Sequence, residues 1–150
     1  MRITKKQLAP VPAVPARTEG WEHRHLEVLA NYDAVPFEWG TRDCLTQVAD
    51  VCLAMTGLDP LAPMRGYASE LEAGKIMLRR GCQDVGDALA QAFPEVAPAQ
   101  ARRGDAGIVL SADGVKMAVV VAGSYVVGRH ANGSFKVPLG RLVRAFKIGW

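Results

Sequence analysis

The hydrophobic pattern of this chain changes its period once, close to Pro98. Before that residue, apolar side chains recur at three- and four-residue spacing, which is typical of amphipathic helices. After it, short segments rich in valine and isoleucine are separated by glycine-containing turns, which is typical of antiparallel strands. Helices first and strands afterwards predict an α+β fold, in which N-terminal helices pack on a C-terminal antiparallel β-sheet.

Local signals place the individual elements within these two halves. Capping residues and helix-ending glycines predict four helices, at Trp21–Tyr32, from Asp43 to Gly57, from Ser69 to Arg80, and at Asp84–Phe93. The later half of the chain predicts five strands, at residues 106–110, 117–122, 125–128, 135–137 and 143–148.

The N-terminal residues differ in composition from the rest of the chain. Residues 8–16 place proline at three of nine positions, with small apolar residues between, which favours an extended polyproline II segment. We therefore divide the chain into a proline-rich arm at residues 1–18 and a single domain at residues 19–150. A chain of 150 residues can bury one sizeable core without a disulfide or a metal.

Composition argues against several classes of function. The 18 basic and 15 acidic residues are spread along the chain, so no basic block predicts a nucleic-acid partner. No apolar run approaches the ~20 residues of a membrane span, and the basic N-terminus is not followed by the apolar core of a signal peptide. Three cysteines, an odd number, without such a signal indicate reduced thiols in a cytoplasm.

His23 and His25 lie two residues apart in the first predicted helix. Side chains at that spacing point to different faces of a helix, so the pair is a poor metal site. We expect both to be surface or edge histidines, and we predict neither a metal nor a cofactor for the chain. Cys52 and Cys82 are expected to be buried as small hydrophobic side chains.

Cys44 is the strongest candidate for chemistry, because it follows Asp43 at the start of the second predicted helix. Backbone N–H groups and the positive end of a helix dipole favour thiolate over thiol, so a cysteine at this position can act as a nucleophile. Such a nucleophile needs a base within hydrogen-bond reach and usually a third group that orients the base. His130, at the end of a predicted strand, is the candidate base.

The order of motifs resembles that of the NlpC-type cysteine peptidases, papain-like enzymes that cut peptide bonds in the stem peptides of peptidoglycan. In chain order, the motifs are Trp39-Gly40, Asp43-Cys44 at a helix start, Arg103-Gly104-Asp105 before a strand, a valine-rich strand ending at Gly123, and a strand leading to His130-Ala131. The resemblance spans residues 36–139 and implies a papain-like fold. It assigns Cys44 as the nucleophile and His130 as the orienting third residue.

The resemblance also identifies a missing group. The family's base is a histidine at the start of the strand that follows the Gly-Asp strand, and that position falls on Lys116, Met117 or Ala118. A thioether cannot accept a proton, and a lysine with the ordinary pKa near 10.4 is protonated at neutral pH. His130 could replace the missing base if the strands shift register, and another residue would then have to orient it, for which Asn132 and Asp113 are the candidates.

Other residues of these motifs are expected to serve the fold. Asp43 is predicted to cap its helix and Asp105 to stand in a turn. Trp39 is predicted to anchor its loop onto the core, with Gly40 allowing the turn. Leu45 stands where the family usually has serine, so the Asp-Cys-Ser signature is incomplete.

Chains that combine these motifs with a segment such as Val137-Pro138-Leu139 resemble proteins of tailed bacteriophages and prophages. The resemblance implies a structural tail-tip or tail-assembly component with a degenerate peptidase site. Such a protein would be made in the bacterial host cytoplasm, reside in the virion tail and have other phage tail proteins as partners.

Two alternative functions stay open. One is an active cysteine peptidase or amidase that opens peptidoglycan during DNA delivery, with Cys44 as nucleophile and His130 as base. The other is a non-catalytic module whose cleft binds a peptide or glycan, for which peptidoglycan is the candidate partner, without cutting it.

Overall fold

The computed structural model describes residues 15–150 and has the α+β arrangement that the sequence predicts. The helices are α1 (Trp21–Asp33), α2 (Cys44–Thr56), α3 (Glu70–Arg79) and α4 (Val85–Ala92). The strands are β1 (Glu95–Val96), β2 (Ala106–Leu110), β3 (Lys116–Val121), β4 (Tyr125–His130), β5 (Gly133–Pro138) and β6 (Arg144–Phe146). Residues 1–14, most of the predicted proline-rich arm, lie outside the described residues.

The strands form one sheet in the order β1-β6-β2-β3-β4-β5, and every neighbouring pair is antiparallel. β2 to β5 follow one another as hairpins, whereas β6 returns to pair with the other edge of β2. β1 was not predicted, because its two residues are too few to show an alternating pattern. Within residues 15–150, no helix has the length and apolar character that crossing a membrane requires.

α2 begins and ends where the sequence predicts. Asp43 Oδ1 accepts the N–H of Thr46 at 2.8 Å, and Thr46 Oγ1 accepts the N–H of Asp43 at 2.9 Å, which together form a capping box. Gly57 ends the helix with a φ of 80°, a left-handed conformation that glycine adopts without strain. α2 is the central helix of the core, and four of its side chains are 0% exposed: Val48, Val51, Cys52 and Met55.

Side chains of the sheet alternate between two apolar clusters, one on each face. The face that packs on the helices contributes Ile108, Ala118, Val120 and Phe146 to the main core. The opposite face forms a second cluster with the loop before β6, which includes Val109, Val119, Val121, Val126 and Leu142. Because a step of one residue moves a side chain to the other face, this alternation decides which strand residues can reach α2.

The segment before α1 is held against the C-terminal strands. Arg17 donates hydrogen bonds to the carbonyls of Ile148 at 2.8 Å and Arg103 at 2.6 Å, and it forms an ion pair with Asp105 at 2.9 Å. Asp105 also accepts the backbone N–H groups of Arg102 and Ile148. The predicted turn residue Asp105 is therefore the buried centre of a network that joins the two ends of the domain.

The predictions for the remaining cysteines and histidines have different outcomes. Cys52 and Cys82 are buried as predicted, at 0% and 2% exposure. His23 is exposed, but His25 is fully buried beside the Trp21 ring, so the prediction of a surface or edge position is wrong for His25. The two-residue spacing explains the difference, since it turns one ring to solvent and the other to the core.

Candidate functional site

A cleft of about 550 Å³ opens beside the N-terminus of α2. α3 forms one wall, and the β2–β3 hairpin and the start of α4 form the other. A concave, mostly apolar site with a few polar groups is the usual form of a ligand-binding pocket. The apolar lining includes Trp39, Leu45, Met64, Tyr67, Met77, Val85 and Val115, and the polar lining includes Asp43, Cys44, Glu70, Asp84 and Lys116.

The start of α2 is held by a dense set of hydrogen bonds around Asp43, which is 1% exposed. Its Oδ2 accepts the Gly40 N–H at 2.8 Å and the Tyr67 hydroxyl at 2.6 Å, in addition to the helix-capping bond. Gly40 has a φ of +85°, and a Cβ there would lie 1.8 Å from the Tyr67 carbonyl oxygen. Asp43 is therefore a helix cap, as predicted, and Gly40 is the residue that allows the loop to close.

Trp39 extends from this loop to the cleft. Its ring stands edge-on to Phe37, with centroids 5.1 Å apart, and the side chain lines the cleft at 37% exposure. Trp39 is thus less buried than the core anchor that the sequence predicts, because its loop follows the rim of the cleft.

The Cys44 thiol lies in the cleft, but its environment disfavours ionisation. Burial raises the pKa of Cys44 to about 11, and the adjacent Asp43 carboxylate acts in the same direction. The backbone N–H groups of Ala118 and Leu45 favour the thiolate, but their effect is smaller. The structure therefore reverses the expectation that a cysteine at a helix N-terminus would have a lowered pKa.

The first residues of β3 occupy the place where the resemblance expects a base. Ala118 faces α2 and belongs to the main core, whereas Met117 packs on the opposite face of the sheet. Lys116 lines the cleft, and its Nζ donates to Asp84 Oδ2 at 2.7 Å. This bond lowers the pKa of Asp84 and commits the lysine to an ion pair.

His130 lies on the opposite face of the sheet from Cys44. Its ring stacks on Phe135, with centroids 5.3 Å apart and planes 6° from parallel, and Phe135 packs on the second cluster. His130 Nδ1 accepts the N–H of Asn132 at 3.0 Å. The structure therefore does not bring the two predicted catalytic residues, Cys44 and His130, together. Asp113 is exposed in the turn between β2 and β3.

Arg129, which precedes His130 in β4, points to the helices instead. Its guanidinium donates to the carbonyls of Val35 at 2.7 Å and Arg42 at 3.3 Å, and it is 2% exposed. It also donates to Ser134 Oγ at 2.7 Å. Arg129 thereby ties the loop that leads into α2 to the sheet. This role of Arg129 is not among the predictions from the sequence; alternation along β4 is the signal that separates Arg129 from His130.

The cleft thus contains a thiol but no histidine. The chain has three histidines, and none of them lines the cleft: His23 is exposed on α1, His25 is buried in the core, and His130 faces the other side of the sheet. Among residues 15–150, no group of three or more histidine, cysteine or carboxylate side chains could hold a metal ion. Nucleophilic catalysis by a cysteine needs a base next to the thiol, and no histidine takes that position here.

Residues 16–148 match the sequence profile of one family, described as "Domain of unknown function (DUF6950)". The match includes every helix and strand and all residues that line the cleft. No curated protein matches the chain.

Proposed function

The chain belongs to the DUF6950 family, and from the geometry of its cleft we propose that it is a non-catalytic protein of papain-like, NlpC-type fold. We propose further that it serves as a structural tail-tip or tail-assembly component of a phage or prophage. The proposal rests on one observation above all: no histidine lines the cleft that contains the Cys44 thiol, where β3 contributes the Ala118 backbone beside the thiol and Lys116 in the lining.

The proposal is supported by a cleft whose cysteine end is rigidly held but offers no histidine to the thiol. Gly40, Asp43 and Tyr67 hold the start of α2 in place through buried hydrogen bonds. The raised pKa leaves Cys44 a neutral thiol at physiological pH, and the neutral thiol is a poor nucleophile. A cleft that is held in shape but has no base beside its thiol is better suited to binding a ligand than to hydrolysing one.

Hydrolysis of peptidoglycan tests the non-catalytic part of the proposal. The full chain and its Cys44→Ala variant are incubated with purified peptidoglycan, beside an active NlpC-type peptidase as positive control. Both forms should release no stem-peptide fragments that mass spectrometry can detect. Release by the unchanged chain that is lost in Cys44→Ala would instead support the active-peptidase alternative.

Composition of virus particles tests the structural part. In a phage or prophage that encodes the chain, mass spectrometry of purified tails should find it, and deletion of its gene should leave tails incomplete. A Cys44→Ala substitution should leave particle assembly unchanged. Intact, infectious particles that lack the chain would contradict the structural role.

The open cleft favours the binding-module alternative as a second candidate. Its lining is mostly apolar, and Trp39 and Glu70 lie where a ligand can reach them. Calorimetric titration with soluble peptidoglycan fragments tests this candidate. Saturable heat that is lost in a Trp39→Ala variant would support it, and no heat at millimolar fragment would exclude it.

A further inference from the structure

The cleft combines an apolar lining with negative charge on one wall. Glu70 lines the cleft at the start of α3, and Glu72 lies in the same helical turn. Glu70 makes no ion pair with any of residues 15–150, whereas Asp84 on the opposite wall is paired with Lys116. The cleft therefore suits an apolar segment that is flanked by basic residues.

The chain contains a segment of this chemistry. Residues 8–14 are Leu-Ala-Pro-Val-Pro-Ala-Val, they follow Lys5 and Lys6, and residues 1–14 include no acidic side chain. The spacing of the prolines predicts polyproline II, a conformation that loses little entropy on binding. Proline-rich segments of this kind bind in grooves lined by aromatic side chains, and Trp39 and Tyr67 line this one.

The length of α2, which separates Pro15 from the cleft, indicates that residues 8–14 bind to another copy of the chain. The Pro15 carbonyl oxygen and Thr56 Cγ2 lie 3.0 and 3.1 Å from a Cβ built on Gly149, which places Pro15 at the C-terminal end of α2. Cys44 is at the other end, about 19 Å away for a helix of this length. Seven residues of polyproline II extend about 22 Å, so residues 8–14 cannot both travel along α2 and lie within the cleft of the same copy.

We propose that residues 8–14 of one copy bind in the Cys44 cleft of a second copy, so that copies associate head to tail. The proposal deepens the structural role proposed above, on which it rests, by naming what occupies the cleft. Because arm and cleft are different surfaces, each copy can give one contact and receive another. Contacts of this heterologous type build rings or filaments.

Sedimentation equilibrium of the full chain tests the proposal. The average mass should rise with concentration above that of the 16.1 kDa monomer. Gly74→Phe places a ring in the cleft, at a position where an added Cβ meets nothing within 4 Å, and should reduce the protein to monomer. Gly140→Phe, equally open at its Cβ but in the segment after β5, is the matched control and should associate like the unchanged chain.

A second pair of variants tests the arm. Val11→Asp puts a carboxylate in the segment that should meet the apolar cleft, and it should give a monomer. Asn132→Asp adds the same charge at an exposed position between β4 and β5, outside both the arm and the cleft, and should associate like the unchanged chain. Mixing Val11→Asp with Gly74→Phe should restore a species of twice the monomer mass and no larger one, because one variant supplies an intact cleft and the other an intact arm.

Three results would overturn the proposal: a monomeric unchanged chain at millimolar concentration, association that both Val11→Asp and Gly74→Phe leave unchanged, or no dimer in the mixture. These outcomes are independent of hydrolysis, so they would leave the non-catalytic assignment standing. Conversely, peptidoglycan cleavage by a chain that still associates through its arm would refute the proposed function but not the arm contact.

Discussion

At the scale of residues, Cys44 and His130 lie where the sequence predicts, but their surroundings are not those of a catalytic pair. Cys44 stands at the first position of α2, where the helix dipole favours a thiolate, yet burial and Asp43 raise its pKa to about 11. His130 lies at the predicted strand end, but its ring points to the other face of the sheet. The same residue types would form a catalytic pair only if both faced the cleft.

The reactivity of Cys44 should follow its raised pKa. Only the thiolate reacts with iodoacetamide, so alkylation of Cys44 should be slow near pH 7 and rise about tenfold per pH unit until it levels near its pKa of about 11. Site-resolved mass spectrometry measures the rate. Asp43→Asn keeps a helix-capping side chain but removes the negative charge, so its plateau should come at lower pH. A plateau of the unchanged chain below about pH 8.5 would contradict the prediction.

Asp43 should contribute more to stability than an ordinary helix cap. Asp43→Ala removes the acceptor of three donors, from Thr46, Gly40 and Tyr67, at a buried position. We expect the free energy of unfolding in urea to fall by about 4 kcal/mol, from the lost cap and the donors left without a partner. Ser69→Ala, which removes the exposed cap of α3, is the control and should cost about 1 kcal/mol. Equal losses in the two variants would show that the additional buried hydrogen bonds of Asp43 contribute nothing to stability.

At the scale of elements, α1 carries one fully buried histidine, His25. Both ring nitrogens of His25 are buried and unpartnered among residues 15–150. Burial lowers the pKa of His25 below its ordinary 6.5; the nearby backbone of Val121 acts in the opposite direction, and the charges of Arg103 and Arg17 add to the effect of burial. The folded state therefore binds the proton less readily than the unfolded state does.

Stability should fall on acidification in a window that His25 defines. Above pH 6.5 the His25 ring is neutral in both the folded and the unfolded state. Below pH 6.5 the ring binds a proton in the unfolded state, whereas in the folded state it stays neutral until its lowered pKa is reached. The free energy of unfolding should decrease by up to about 1.4 kcal/mol per pH unit as the pH falls below about 6.5, until the lowered pKa of the folded state is passed. His25→Phe should flatten this slope, and His23→Gln, at an exposed site, should retain it. Urea titrations across this range measure both, and equal slopes in the two variants would refute the assignment.

At the scale of the whole molecule, the domain is joined at its ends by one buried ion pair. Arg17 and Asp105 are 88 positions apart, and their side chains are 10% and 2% exposed. Burial raises the pKa of Asp105 and lowers that of Arg17, so each charge depends on the other and on the surrounding backbone groups. Removing one partner leaves the other as an uncompensated buried charge.

Arg17→Ala should therefore destabilise the whole domain by about 3–5 kcal/mol at neutral pH. The loss should become smaller as the pH falls through the raised pKa of Asp105, which lies above its ordinary 3.8, because a protonated Asp105 no longer needs a cation. Arg144→Ala is the matched control: its ion pair with Glu95 is 30% and 45% exposed and should be worth less than about 1 kcal/mol. Thermal and urea unfolding measure both variants. Similar losses in the free energy of unfolding would show that the buried ion pair stabilises the domain no more than the exposed one does.

The sequence by itself determined the α+β class, the four helices, five of the six strands and the position of Cys44 at the start of α2. These features depend on local periodicity, caps and turns, which neighbouring residues specify. Only the tertiary structure decided that Cys44 is a neutral thiol, that His130 lies on the far face and that Arg129 faces the helices instead. Alternation along a strand shows that Arg129 and His130 face opposite ways, but sheet register and burial, which join residues far apart in the chain, decide which of them faces the helices.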